Sequence, residues 1–181
     1  MHPIEKYELR PLAENDLRLV LNWRNSERIR INMYSEELIS WENHCAWFSR
    51  IQNSDTTAYF VIEFKDKPIG IVNFTSIDRV HDKCSWGFYI GDTTAPRGSG
   101  TALGILGLVQ AFEHLHIRKI SAEVFAFNEA SLRFHRKLGF VQEGCLSQHI
   151  LKPNGYQDIV LFAKFFNNWD TEKQRLLNLL Y

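Results

Sequence analysis

The sequence predicts an α+β fold built on one mixed β-sheet, and three observations carry that expectation. Runs rich in aromatic and β-branched residues recur at strand length, among them Ala58–Lys65, Ile69–Ile77, Cys84–Ile90 and Tyr156–Lys164. Stretches with apolar residues at helical spacing alternate with them. A glycine-rich turn, Arg97-Gly98-Ser99-Gly100-Thr101-Ala102, joins the aromatic strand to an apolar helix running to Leu115, and another strand, Lys119–Phe127, follows. A helical crossover of that kind makes the two strands parallel and the connection right-handed.

In chain order, Tyr7–Leu12 alternates and makes a short first strand. Ala13–Asn25 is a helix with Leu17, Val20 and Leu21 on one face, and Arg24 continues that face seven residues after Leu17. Such a charge either sits at the exposed end of the stripe or reaches into a cleft. Ser26–Ile39 is a connection, after which Ser40 caps a helix carrying His44, Trp47, Phe48 and Ile51 on one face. The strands Ala58–Lys65 and Ile69–Ile77 form an antiparallel hairpin about Asp66-Lys67-Pro68. Asn128 caps a helix ending at Leu138, with Gly139 in the usual stop position and Phe140 opening a strand. Pro153-Asn154-Gly155 turns into the last strand, Tyr156–Lys164. Residues 1–165 therefore read as one domain, and 166–181 as an amphipathic tail with Trp169, Leu176, Leu177 and Leu180 on one stripe. The tail docks on that domain or on a second subunit, as in a homodimer.

Composition narrows the function classes. The 181 residues hold 21 Lys plus Arg against 21 Asp plus Glu, a balance that disfavours nucleic acid as the main partner. No run approaches membrane-spanning length, so no membrane partner is expected. Cys45, Cys84 and Cys145 are odd in number and lack zinc spacing, so no metal is expected and the thiols read as reduced, in a cytoplasmic protein.

The glycine turn carries the first chemical signal. Backbone N–H groups of such a turn converge with a helix N-terminus on one anion, and Arg97 adds charge beside them. The spacing is neither the dinucleotide G-x-G-x-x-G nor a P-loop, since no Gly-Lys-Ser/Thr follows. The pattern Arg97-x-x-Gly100-x-Ala102 resembles the pyrophosphate loop of the GNAT superfamily of N-acetyltransferases, which cradles acetyl-CoA. A second signature, Asn128-Glu129-Ala130-Ser131 followed by Arg136-Lys137-Leu138-Gly139-Phe140, is similar to the N-x-x-[SA]…K-x-G-F stretch of the same superfamily. The resemblance covers residues 7 to 165 or so. Leu21–Asn25, Met33-Tyr34-Ser35, Ile39-Ser40 with His44 and Trp47, and His81-x-Lys83…Trp86–Ile90 are similar to a narrower group, the UDP-4-amino-4,6-dideoxy-N-acetyl-β-L-altrosamine N-acetyltransferases of pseudaminic acid synthesis.

The resemblance implies a sheet whose central parallel strands splay apart, helices on both faces, and acetyl-CoA as co-substrate. It places backbone N–H groups of Phe88, Tyr89 and Ile90 at the thioester and Arg97 to Ala102 at the pyrophosphate. Asn128, with Ser131 beside it, falls at the pantetheine arm. It implies acetylation of the 4-amino group of a UDP-linked amino sugar destined for flagellin or surface glycans. On the acceptor side Arg24 and His44 are the polar groups, Met33 and Tyr34 walls, and Thr75 and Tyr89 further sugar contacts.

Acetyl transfer to an amine needs a neutral amine, a positioned thioester, donors for the oxyanion and an outlet for the leaving thiolate. Glu123 interrupts an otherwise apolar strand and is the candidate base, working through a water; an outward residue on a half-exposed strand is the plain alternative. His135 occupies the position where the superfamily's Y-x-K-x-G-F has tyrosine, so it is the candidate acid. A ribosomal-protein or N-terminal protein acetyltransferase shares the C-terminal motifs. A non-catalytic acyl-CoA-binding module would fit the missing tyrosine. A polyamine acceptor is disfavoured, because no acidic cluster accompanies Arg24 and His44.

Overall fold

A computed structural model describes residues 2–180. Seven strands form one sheet: β1 (Tyr7–Pro11), β2 (Ala58–Phe64), β3 (Lys67–Asp78), β4 (Lys83–Ile90), β5 (Lys119–Phe125), β6 (Val141–Lys152) and β7 (Gly155–Phe165). Their spatial order is β1-β2-β3-β4-β5-β7-β6. All neighbours are antiparallel except β4 and β5. That parallel pairing lasts only from Lys83 to Ser85 against Lys119 to Ser121. Beyond it β4 continues to Ile90 and β5 to Phe125 without meeting, which opens a gap in the middle of the sheet.

Among the described residues six α-helices cover the two faces: α1 (Leu17–Asn25), α2 (Glu27–Arg30), α3 (Trp41–Gln52), α4 (Ser99–Val109), α5 (Glu129–Lys137) and α6 (Trp169–Leu177). The main core joins Ile62, Phe74 and Phe162 of the sheet to Leu103, Ile105 and Leu108 of α4. Fully burying each such side chain contributes about 2–3 kcal/mol. A smaller core on the opposite face packs Val20, Trp23 and Ile29 against Val61 and Ile71.

Several boundaries differ from expectation for local reasons. The first helix opens as a 3-10 turn at Glu14–Asp16, because the Asp16 carboxylate accepts the Ala13 N–H at 2.9 Å and is gripped by Arg10 at 2.7 and 2.9 Å. The connection after Asn25 contains α2. Ser40 does cap α3, accepting from the Asn43 N–H at 3.2 Å. The β2–β3 turn is Lys65-Asp66, both at positive φ, so Lys67 and Pro68 already belong to β3. β5 ends at Phe125, where the Asn128 N–H closes a turn on its carbonyl. Helix α4 begins at Ser99, three residues earlier than expected, and past Val109 it widens into a π-turn over Gln110–His114. The tail packs on the same chain: Trp169 and Leu176 are buried, and the Trp169 indole donates to Glu113 at 2.7 Å.

Candidate active site

Two cavities meet at β4. The larger, about 450 Å³, lies under α1 and α3. The other, about 390 Å³, is the gap between β4 and β5, closed on one side by α5. Gly87, Phe88, Tyr89 and Met33 line both. One strand is thus the common wall of two spaces, an arrangement suited to bringing two substrates together.

At the outer end of the β4–β5 gap stands the glycine turn. Gly98 has φ 94, a left-handed conformation that favours glycine, and it leads directly into α4. A Cβ built on Gly98 or on Gly100 meets no atom within 4 Å, so both glycines face open space. The first α-helical bond runs from the Ala102 N–H to the Gly98 carbonyl at 3.0 Å. That leaves the N–H groups of Gly100 and Thr101 ahead of it, at the positive end of the helix dipole. Ala102, fully buried with its N–H engaged, is not a donor to a ligand. The Ser99 and Thr101 side chains also turn inward, Ser99 to the Tyr7 hydroxyl at 3.2 Å and Thr101 to the Lys137 ammonium at 2.9 Å. Lys137 brings a positive charge to this first turn, and Arg97 is exposed beside it. The turn can receive an anionic group through backbone donors. Sequence reasoning missed Arg28 of α2, which lines the gap and ties the end of β4 by donating to the Ile90 and Gly91 carbonyls at 3.0 and 2.9 Å.

Asn128 and Ser131 line the gap at the head of α5. The Asn128 side-chain oxygen accepts the Ser131 N–H at 3.1 Å, which fixes the amide as the helix cap.

The structure corrects the acid role expected of His135. The ring is 2% exposed and stacked on Phe162, and burial lowers its pKa to about 4, so it is neutral near pH 7. Nδ1 donates to the Ser131 carbonyl at 2.8 Å, while Nε2 accepts from the Trp86 indole N–H, a pure donor, at 3.2 Å. The tautomer is fixed by these partners. No N–H is left for a sulfur, and His135 instead joins β4 to α5.

Glu123 lines the β4–β5 gap on β5 and is exposed. Its carboxylate accepts a hydrogen bond from the Tyr34 hydroxyl. Tyr34 was expected as an acceptor wall; it reaches across to β5 and sets its ring edge-on to Phe125 at 5.6 Å instead. Burial, then the Glu123 partner, raises the Tyr34 pKa and keeps its proton in place.

In the larger cavity Arg24 and His44 converge. Arg24 donates to the Ser35 carbonyl at 3.2 Å, but its Nη1 is buried with no partner. Burial lowers the Arg24 pKa, with Tyr89 opposing, yet a guanidinium stays charged. His44 is buried and stacked on Trp47; burial lowers its pKa against a hydrogen bond to the Leu17 backbone, and its Nε2 is also without a partner. Leu12, Tyr59 and Ile71 supply apolar wall, and Arg50 lies at the rim. No Asp or Glu is among the lining residues. Thr75 lies outside this cavity, paired with Ser85; Asn73, two residues back on the same face and opposite Gly87, is the polar β3 residue that lines it.

Comparison with known proteins agrees with this geometry. Residues 6–141 match the family model described as an acetyltransferase (GNAT) domain. Among curated relatives, a spermidine N(1)-acetyltransferase of Vibrio cholerae is 26% identical over 164 residues, 88% of this chain and 95% of that protein. The acetyltransferase PseH of Campylobacter jejuni is 25% identical over 129 residues, 71% of this chain and 79% of that protein. The crystal structure of the Vibrio cholerae spermidine N-acetyltransferase with CoA and spermine superposes with a TM-score of 0.84 at 24% identity, covering 89% of this chain and 96% of that one, which shows the shared fold. With the family model spanning three quarters of its length, a sheet opened between its parallel strands and a glycine turn at the mouth of that opening, the chain belongs to the GNAT acetyltransferases and is an acetyl-CoA-dependent N-acetyltransferase.

Proposed function

We propose that the protein transfers the acetyl group of acetyl-CoA to the 4-amino group of a UDP-linked 4-amino-4,6-dideoxy-N-acetyl sugar, in the cytoplasm, on the way to a nonulosonic acid of the pseudaminic type. The observation that carries this reading is the larger cavity: an unpartnered guanidinium nitrogen of Arg24, an unpartnered His44 Nε2, and no carboxylate among its lining residues. A nucleotide sugar brings diphosphate oxygens for Arg24 and hydroxyls for His44. A polyamine would bring ammonium groups to a buried cation with nothing to compensate them. The similarity to PseH of Campylobacter jejuni supports the same choice.

In this reading the N–H groups of Gly100 and Thr101, with Arg97, hold the pyrophosphate. Asn128 and Ser131 bound the pantetheine path. Backbone N–H groups at Phe88 to Ile90 stand where the carbonyl oxygen gains charge. Glu123 takes the amine proton through a water, so the neutral nitrogen attacks the thioester carbon directly. The adduct nitrogen gives up its second proton to water, the C–S bond breaks, and the leaving thiolate takes a proton from solvent. His135 holds the Trp86–Phe88 wall and donates nothing to the sulfur.

The test is to incubate the protein with acetyl-CoA and either a panel of UDP-4-amino-4,6-dideoxy sugars or spermidine, and read products by mass. Acetylated nucleotide sugar is expected. Turnover of spermidine with none of any sugar would sink the reading and favour the polyamine activity named for the Vibrio cholerae relative.

A further inference from the structure

The segment from Ile31 to Glu36 contributes to both cavities, through Met33 as shared wall and through Tyr34 as the partner of Glu123. It contains no strand and no α-helix. Arg24 and Arg30 hold its Ser35 and Glu36 carbonyls at 3.2 and 2.6 Å, and one further group reaches it from 119 residues away.

That group is Lys152, the last residue of β6. Its side chain is 3% exposed. An ammonium has three N–H donors, and three partners surround this one: the Met33 carbonyl at 2.5 Å, the Ile31 carbonyl at 3.2 Å and the Glu36 carboxylate at 2.7 Å. All three lie in the one segment. The Phe125 ring of β5, 4.9 Å from the nitrogen, closes the remaining side and also packs against Tyr34. A buried ion pair on its own is often replaceable by well-packed apolar residues. Here two main-chain carbonyls would lose their donor as well, and no apolar side chain supplies one.

We propose that Lys152 is the positioning residue of the acceptor segment: it pins residues 31–36 to the β6–β7 hairpin, so that Met33 stays between the two cavities and Tyr34 stays on Glu123. The inference rests on the larger cavity being the acceptor's, as proposed above. It makes acceptor affinity, more than coenzyme affinity, depend on a hairpin end that lines neither cavity: Ser35 of the same segment holds Arg24, whereas the segment gives the gap Asn32 and Met33 but none of the glycine-turn donors.

The decisive experiment compares wild type with Lys152→Met, Lys152→Arg and Glu36→Gln. Hydrogen–deuterium exchange is followed across the whole chain, acetyl-CoA affinity by calorimetry, and KM for a UDP-4-amino-4,6-dideoxy sugar by thiol release. For Lys152→Met, amide exchange rises at least tenfold within residues 31–39 and stays unchanged in β2 and β3. The sugar KM rises about tenfold, as loss of hydrogen bonds to a charged group predicts, while acetyl-CoA affinity moves less than twofold. Lys152→Arg, which keeps the charge and the donors, restores most of both. Glu36→Gln, at a half-exposed partner, shows the same pattern at smaller size and covers the case in which Lys152→Met does not fold. Unchanged exchange in 31–39 overturns the proposal. So does loosening of the whole chain with equal loss of both affinities, and so does a flat sugar KM. If wild type leaves the sugars untouched, the substrate reading fails by itself and the exchange data alone decide the role of Lys152.

Discussion

The gap proposed for the coenzyme and the cavity proposed for the acceptor share a wall but are built from different material. The gap is lined at its mouth by main chain: Gly98 at positive φ, the open N–H groups of Gly100 and Thr101, and the end of β4. The cavity is lined by side chains from α1, α3, β2, β3 and β4. Added atoms should therefore damage the first, whereas loss of a charge or a donor should damage the second. Four substitutions sharpen or break that contrast.

The largest effect is expected at Glu123, on the β5 side of the gap. Glu123→Gln keeps the shape and removes the proposed base, so kcat is expected to fall by about 10² to 10⁴ with both KM values nearly constant; a KM change without a kcat change would remove Glu123 from the chemistry. Next, Gly100→Val has no neighbour to clash with. Its Tm therefore holds, while acetyl-CoA binding weakens by roughly tenfold to hundredfold as the side chain fills the approach to the backbone donors. Calorimetry showing normal binding would mean the anion sits elsewhere. Arg24→Ala gives the converse: the sugar KM rises about tenfold or more and the acetyl-CoA KM stays put. Equal shifts would erase the division between the two regions.

The smallest effect on turnover belongs to His135→Phe, and its signature is in stability. His135 has a folded pKa of about 4, below the usual 6.5, so the unfolded chain binds a proton that the folded chain refuses. This group therefore favours folding above pH 6.5 and loses that contribution as pH falls towards 4, about 2 kcal/mol between pH 7 and pH 5. Denaturant melts at those two pH values should show the slope in wild type and a shallower one in His135→Phe, with kcat lowered only a few-fold. A kcat collapse would return His135 to proton transfer.

How far each region could be read from sequence follows from what builds it. Glycine spacing reports backbone geometry directly, so the turn at Gly98 and Gly100 and the cap at Asn128 were legible. The inward turn of Ser99 and Thr101 was not, because their partners, Tyr7 and Lys137, come from β1 and α5. On the acceptor side, Arg24 and His44 stood out as polar residues on apolar helix faces. Thr75 and Asn73 share one face of β3 at period two, so periodicity found the face, and only the register with Gly87 tells which of the pair lines the cavity. His135 sat at a tyrosine position, and nothing local revealed that Trp86, 49 residues away, would take its second nitrogen. In the sequence Lys152 is a charge next to the Pro153-Asn154-Gly155 turn, and no motif includes it. Its partners lie 119 and 121 residues earlier, a distance no motif spans.

The single strand between the two spaces also bears on the order of events in the proposed reaction. With acetyl-CoA in the gap and the acceptor in the cavity, as proposed, β4 gives each molecule its own compartment, so neither must depart before the other arrives and both are present when the bond is made. No relay through an acylated side chain is called for: none of Cys45, Cys84 and Cys145 lines either compartment, and burial pushes the Cys84 thiol up to about 12. Initial-velocity lines measured at several fixed concentrations of the second substrate should therefore intersect and not run parallel.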